Sequence, residues 1–131
     1  MSRILIVDDE APIRHIVALK LRSAGHEVVV ADDGEEGLAL AREHQPDLVV
    51  ADYQMPFMSG MAMAVSLRED PSTCTVPVLL LTARSFKLPP EELMRANIAA
   101  VLGKPFSPRD LVNRVETILN STSPAETETV R

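Results

Sequence analysis

The chain has 131 residues, a formal net charge of −6, and a composition that is 46% hydrophobic and 24% charged. That length and mixture suit one folded domain, which buries about two-thirds of its unfolded surface, and the acidic balance argues against direct nucleic-acid binding. Aromatics are 3% and Trp is absent, so the core has to be aliphatic. No apolar run reaches the length of a membrane span and the N-terminus carries no signal-peptide pattern, so no membrane insertion is expected. The single Cys74 can form no internal disulfide, and a cytoplasmic location is the expectation.

Short apolar runs alternate with amphipathic stretches. Ile4-Leu5-Ile6-Val7 reads as a strand that ends at two aspartates. Residues 11–24 place Ile13, Ile16, Val17 and Leu21 at helical spacing, and Gly25 suits the end of that helix. Glu27 to Ala31 predicts a second strand, and residues 35–44 a helix stopped ahead of Pro46. Leu48-Val49-Val50-Ala51 predicts a third strand, again ending at an aspartate. A Met- and Ala-rich helix follows over 60–69, then a strand from Val78 to Leu81. Pro89-Pro90 opens a short helix over Glu91 to Ala96, and Ile98 to Leu102 is the fifth strand. Ser107 and Pro108 then start a helix over 108–119.

Five βα units in succession predict a parallel sheet covered on both faces, with right-handed crossovers. The expectation is a flavodoxin-like (βα)5 three-layer sandwich with strand order 2-1-3-4-5. The domain is expected over residues 1–120. Residues 121–131 are polar and read as a flexible tail or linker stub.

Ligands bind such sheets outside the carboxyl ends of the strands. Asp8 and Asp9 follow the first strand, Asp52 the third, Thr82 ends the fourth, and Lys104 follows the fifth. In the flavodoxin-like order strands one and three are neighbours, so three carboxylates crowd together. A hard divalent cation such as Mg²⁺, bound through oxygens, would neutralise them. Thr82 offers a hydroxyl and Lys104 a mobile charge, the donors a phosphoryl group needs. Carboxylates are competent covalent phosphoryl acceptors. Each residue alone has a plainer reading. Asp8-Asp9 suits a solvated turn, Asp52 a helix cap, Thr82 a strand end and Lys104 the surface. Their joint placement carries the functional reading. Met55, Met58, Met61 and Met63 read as gap fillers in an aliphatic core. His15, His26 and His44 show no ligand spacing and read as surface residues, His15 being a candidate partner contact.

The set Asp8-Asp9, Asp52 within Asp52-Tyr53-Gln54-Met55-Pro56-Phe57-Met58-Ser59-Gly60, Thr82-Ala83 and Lys104-Pro105-Phe106 resembles the receiver domain of two-component response regulators over residues 3–119. The resemblance implies that Asp52 takes a phosphoryl group from a sensor histidine kinase or phosphotransfer protein. It implies Mg²⁺ held by Asp9 directly, by Asp8 largely through water, by Asp52, and by the backbone carbonyl of Gln54. Thr82 and Lys104 would contact the phosphoryl oxygens. Arg84 and Gln54 would flank the site and tune phosphate lifetime. The peptide before Pro105 is often cis in this family. The partner surfaces implied are helices one and five for the kinase. The helix 4–strand 5–helix 5 face would serve an output protein or a homodimer.

The chain departs from the family in places. Receivers usually carry Tyr or Phe three residues before the lysine, where this chain has Val101, which has no ring to swing. Asn97-Ile98 replaces a usual Gly-Ala. Phe86 could stand in for the missing ring, and the 83–97 segment becomes the expected route out for the signal. The protein is not expected to turn over a substrate. Two rival readings are a receiver-like scaffold that works without phosphorylation and an aspartate-dependent phosphatase.

Overall fold

In the computed structural model of the protein, residues 2–83 and 90–121 are described. Five strands, β1 (Arg3–Val7), β2 (Glu27–Ala31), β3 (Leu48–Asp52), β4 (Val78–Thr82) and β5 (Ile98–Gly103), alternate with five helices. The helices are α1 (Ala11–Ser23), α2 (Gly34–His44), α3 (Gly60–Glu69), α4 (Pro90–Leu93) and α5 (Pro108–Ser121). All strand pairs are parallel, in the order β2-β1-β3-β4-β5. The expected flavodoxin-like architecture is the one observed.

The strands are continuous apolar runs because each faces two cores. Leu5, Val7, Val49, Ala51 and Leu80 point to one side, against Leu38 and Ala41 of α2 and Met63 and Leu67 of α3. Ile4, Ile6, Val50, Leu79 and Leu81 point to the other, against Val17 and Leu21 of α1 and Leu111 and Val115 of α5. Side chains alternate across a strand, so a one-residue slip would exchange the two cores. Each fully buried aliphatic side chain contributes about 1.5–3 kcal/mol. Met61 and Met63 are buried in the first core and Met55 and Met58 pack against it, consistent with gap filling.

Local chemistry sets the helix ends. Gly25 adopts φ 99° just beyond α1, a left-handed conformation that costs glycine little. The Asp33 carboxylate accepts the Glu36 N–H at the start of α2, and Glu36 accepts the Asp32 N–H in return. Ser59 caps α3 by accepting from Ala62 N–H, and Ser107 caps α5 by accepting from Asp110 N–H. The Arg42 guanidinium donates to Asp70 at 2.7 Å, tying α2 to the end of α3 and holding the Asp70 carboxyl down at about 2.

The fourth helix is shorter than the expected Glu91–Ala96. It spans only Pro90–Leu93, and turns follow. There Ala96 is drawn into the core and Asn97 offers its carbonyl to Val78 N–H, which starts the pairing of β5. Arg84 and Phe86, and the tail beyond Ser121, lie outside the described residues. No helix among the described residues is long and apolar enough to cross a membrane.

Gly60 fixes the approach of α3 to β3. Its N–H donates to the Tyr53 carbonyl at 2.9 Å, and a Cβ there would lie 2.3 Å from the Asp52 carbonyl oxygen. Backbone cannot yield as a side-chain tip can. Gly60→Ala should therefore destabilise the protein by about 2–3 kcal/mol, read as a lower urea midpoint with an unchanged slope.

Candidate functional site

The parallel sheet delivers its strand ends to one edge. Asp8 follows β1 and is buried because its N–H is drawn to the Ala31 carbonyl of β2 at 3.2 Å. Its Oδ1 accepts the Glu10 N–H at 2.9 Å, which folds the Asp8–Glu10 turn over the sheet. Its Oδ2 is buried with no hydrogen-bond partner. Asp52 ends β3 and is 5% exposed. Thr82 ends β4, also buried, and its carbonyl accepts the Lys104 N–H at 2.7 Å. The Lys104-Pro105 peptide is cis.

Lys104 reaches back across β4 and β3 to the carboxylates. Its Nζ lies 3.2 Å from Asp52 Oδ1, 3.2 Å from Glu10 Oε1 and 3.9 Å from Asp8 Oδ2. One cation thus faces three anions. Carboxylate oxygens of Asp8, Glu10 and Asp52 lie within 4.8 Å of one another. Glu10 was not singled out from the sequence. It is the third acid of Asp8-Asp9-Glu10, at the N-cap position of α1, yet its side chain makes no capping bond and turns to Lys104 instead. A run of three acids after a buried strand was the available signal.

Asp9 is exposed, but it lines the same cleft as Glu10, Ile13, Asp52, Gln54 and Lys104, with a volume of about 460 Å³. The Gln54 N–H bonds the Asp52 carboxylate. The expected site residues therefore share one edge, with Glu10 added and Asp9 on the rim.

The electrostatics follow from burial. Burial raises the Asp8 carboxyl to about 6. The Glu10 N–H opposes the rise, while the Asp52 charge adds to it. Burial also raises Asp52, against the pull of Lys104. Burial works against the Lys104 ammonium, but Asp52 and Asp8 more than offset it and leave its pKa raised. The orphaned Asp8 oxygen and the all-oxygen donor set fit a hard divalent cation such as Mg²⁺.

Val101 of β5 pairs with Leu80 and packs, half-buried, against the first core. Across the edge the loop Tyr53–Ser59 leaves Asp52 and turns sharply at Phe57. The Met58 N–H donates to the Pro56 carbonyl at 2.7 Å, with Phe57 at φ 71° between them. This is a three-residue turn of the positive-φ hand, the rare and strained form. Holding a bulky residue there costs about 1–3 kcal/mol.

The family profile described as the response regulator receiver domain matches residues 4–116. The phosphate regulon transcriptional regulatory protein PhoB of Pseudomonas aeruginosa is 37% identical over 125 residues, covering 95% of this chain and 55% of that protein. The DNA-binding dual master transcriptional regulator RpaA of Synechocystis is 37% identical over 122 residues, 93% of this chain and 51% of that protein. The chain thus spans about half the length of these curated relatives. Among solved structures, the chemotaxis response regulator CheY4 of Vibrio cholerae aligns with a TM-score of 0.83 at 32% identity, covering 90% of this chain and 98% of that one. A putative response regulator from Chloroflexus aurantiacus aligns with a TM-score of 0.83 at 36% identity, covering 91% and 98%.

The raised Asp8 pKa has a measurable sign. The folded carboxyl holds its proton more tightly than the unfolded one, so ionised Asp8 destabilises the fold above about pH 6, and that penalty fades as the pH falls toward 4. With a chelator present, Asp8→Asn should be more stable than the wild type at pH 8. Thermal unfolding across pH should show the gap closing below about pH 6.

Proposed function

The chain belongs to the response regulator receiver domains of two-component signalling, and from that premise we propose that Asp52 is its phosphoacceptor. The observation that carries the proposal is the cluster of three carboxylates around one lysine, buried Asp8 and Asp52 with exposed Glu10, and Asp52 at the end of the central strand. The donor would be a phosphohistidine on a sensor kinase or phosphotransfer protein. An Asp52 carboxylate oxygen attacks phosphorus in line, the phosphorus–nitrogen bond breaks, and the imidazole keeps the electron pair and takes up a proton.

Each residue has a definite task. Asp52 supplies the nucleophilic oxygen and is held by the Gln54 N–H and the Lys104 ammonium. Lys104 swings from Asp52 and Glu10 to the incoming phosphoryl oxygens, a move its four-carbon stem permits. Thr82, buried at the end of β4, would offer its hydroxyl to those oxygens. Asp8, with Asp9 and the Gln54 carbonyl, would hold Mg²⁺, and Glu10 adds a further charge at its edge. When bound, the ion neutralises charge gathering on the phosphoryl oxygens. Aspartyl phosphate then shifts the population between two surface states. With Val101 at the usual switch position and α4 reduced to four residues, the 83–97 segment is the favoured route to a protein partner or a second copy.

Incubation with acetyl phosphate and Mg²⁺ tests this reading by intact mass. The wild type should gain one phosphoryl group and Asp52→Asn none. No gain in the wild type would refute the assignment, and equal gain in both would move the acceptor elsewhere. Glu10→Gln removes one of the crowded charges. Calorimetry should show its Mg²⁺ affinity reduced roughly three- to tenfold.

A further inference from the structure

We propose that Arg14 is a positioning residue for the metal site, bridging the Asp8 carbonyl and the Asp32 carboxylate and thereby setting how tightly Mg²⁺ is held. That role presupposes that Asp8 and Asp9 hold the ion, as proposed above, and adds what holds their turn in place.

Arg14 stands one turn into α1, where its N–H donates to the Glu10 carbonyl at 3.0 Å. Its side chain runs back toward the start of the helix, as long helical side chains do. The guanidinium therefore lies at the positive end of the α1 dipole, where a cation is disfavoured. The first turn of α1 has no acidic residue to offset this. The side chain is also largely withdrawn from water, at 19% exposed. Two partners account for its place. Nη1 donates to the Asp8 carbonyl at 2.7 Å, and Nη2 lies 3.2 Å from Asp32 Oδ1, just past β2. The Asp32 N–H is in turn held by Glu36 of α2. A planar guanidinium spans two acceptors at once, whereas an ammonium would meet them as a point charge.

The bridge ends on the turn that carries the proposed ligands. Asp8 donates its N–H to Ala31 at 3.2 Å and accepts the Glu10 N–H at 2.9 Å. The Arg14 bond is shorter than either, and its donor is charged. The carbonyl it grips belongs to the planar Asp8–Asp9 peptide, so gripping it sets the direction in which Asp9 leaves the strand. Mg²⁺ demands near-octahedral geometry, and a wandering turn would have to be ordered each time the ion bound. Residues that orient metal ligands from behind typically govern affinity by tenfold or more.

Positioning and bare charge predict opposite signs. The charges that act on the Asp8 carboxyl are those of Asp52, Lys104 and Glu10. Arg14 meets a neutral carbonyl and an Asp32 side chain that is 71% exposed. If Arg14 acted only as a positive charge, removing it would tighten cation binding. If it positions the turn, removing it weakens binding.

Calorimetric titration of the folded protein with Mg²⁺ tests the proposal. Arg14→Met should weaken Mg²⁺ binding about tenfold. Arg14→Lys keeps the charge without the two-pronged geometry and should weaken it about threefold or more. The same variant reads the effect if Arg14→Met does not fold. Asp32→Asn, at the solvent-screened end of the bridge, should cost about twofold. The Mg²⁺ concentration that half-saturates labelling by acetyl phosphate should rise in step, while the rate at saturating Mg²⁺ falls by less than about threefold. Arg42→Met, which breaks the ion pair between α2 and Asp70, should leave Mg²⁺ affinity within about twofold of wild type. Unchanged or tighter binding in Arg14→Met and Arg14→Lys overturns the proposal. So does an equal weakening in Arg42→Met, which would reduce the effect to general loss of stability. A lower saturating rate at unchanged affinity also overturns it. A wild type that binds no Mg²⁺ overturns instead the metal assignment on which the proposal rests.

Discussion

The site depends on one constraint. Three carboxylates stand within 4.8 Å at the end of a buried sheet, and a single ammonium faces all three. The fold imposes the crowding, because parallel β1 and β3 are neighbours and both end in aspartate. Burial then makes the crowding costly, as the raised pKa values of Asp8 and Asp52 record. Such a site favours whatever brings positive charge to it.

The scaffold around this edge is rigid where it needs to be. Both cores are aliphatic and interlock with alternate side chains of the same strands, so the strand ends have fixed register. Precise placement comes from β-sheet pairing, and the Lys104 side chain reaches the acids from the end of β5. A site built on strand ends holds its geometry better than one built on loops.

Much of this was legible in the sequence because the signals were periodic. Continuous apolar runs such as Ile4-Leu5-Ile6-Val7 belong to strands buried on both faces, and turn residues mark their ends. The helix start at Ser107 followed from capping chemistry. Less legible were features set by contacts distant in sequence. The fourth helix stops at Leu93 because Ala96 is taken by the core and Asn97 by β4, neither of which a local pattern reveals. Glu10 stood at a cap position and read as ordinary, since its turn toward Lys104 depends on a residue 94 positions away. The positive φ of Phe57 was equally hidden, because aromatic residues rarely take it.

Gly60 brings a last consequence. On its α3 side the end of β3 is clamped backbone to backbone, with no side chain in between to absorb a displacement. Toward β5 the Asp52 carboxylate is held through a flexible lysine. The two flanks of Asp52 therefore differ in what holds them. On one flank Asp52 meets backbone and on the other a lysine side chain, an asymmetry built into the edge. The absent side chain of Gly60 is half of that asymmetry, since a Cβ there would press on the Asp52 carbonyl.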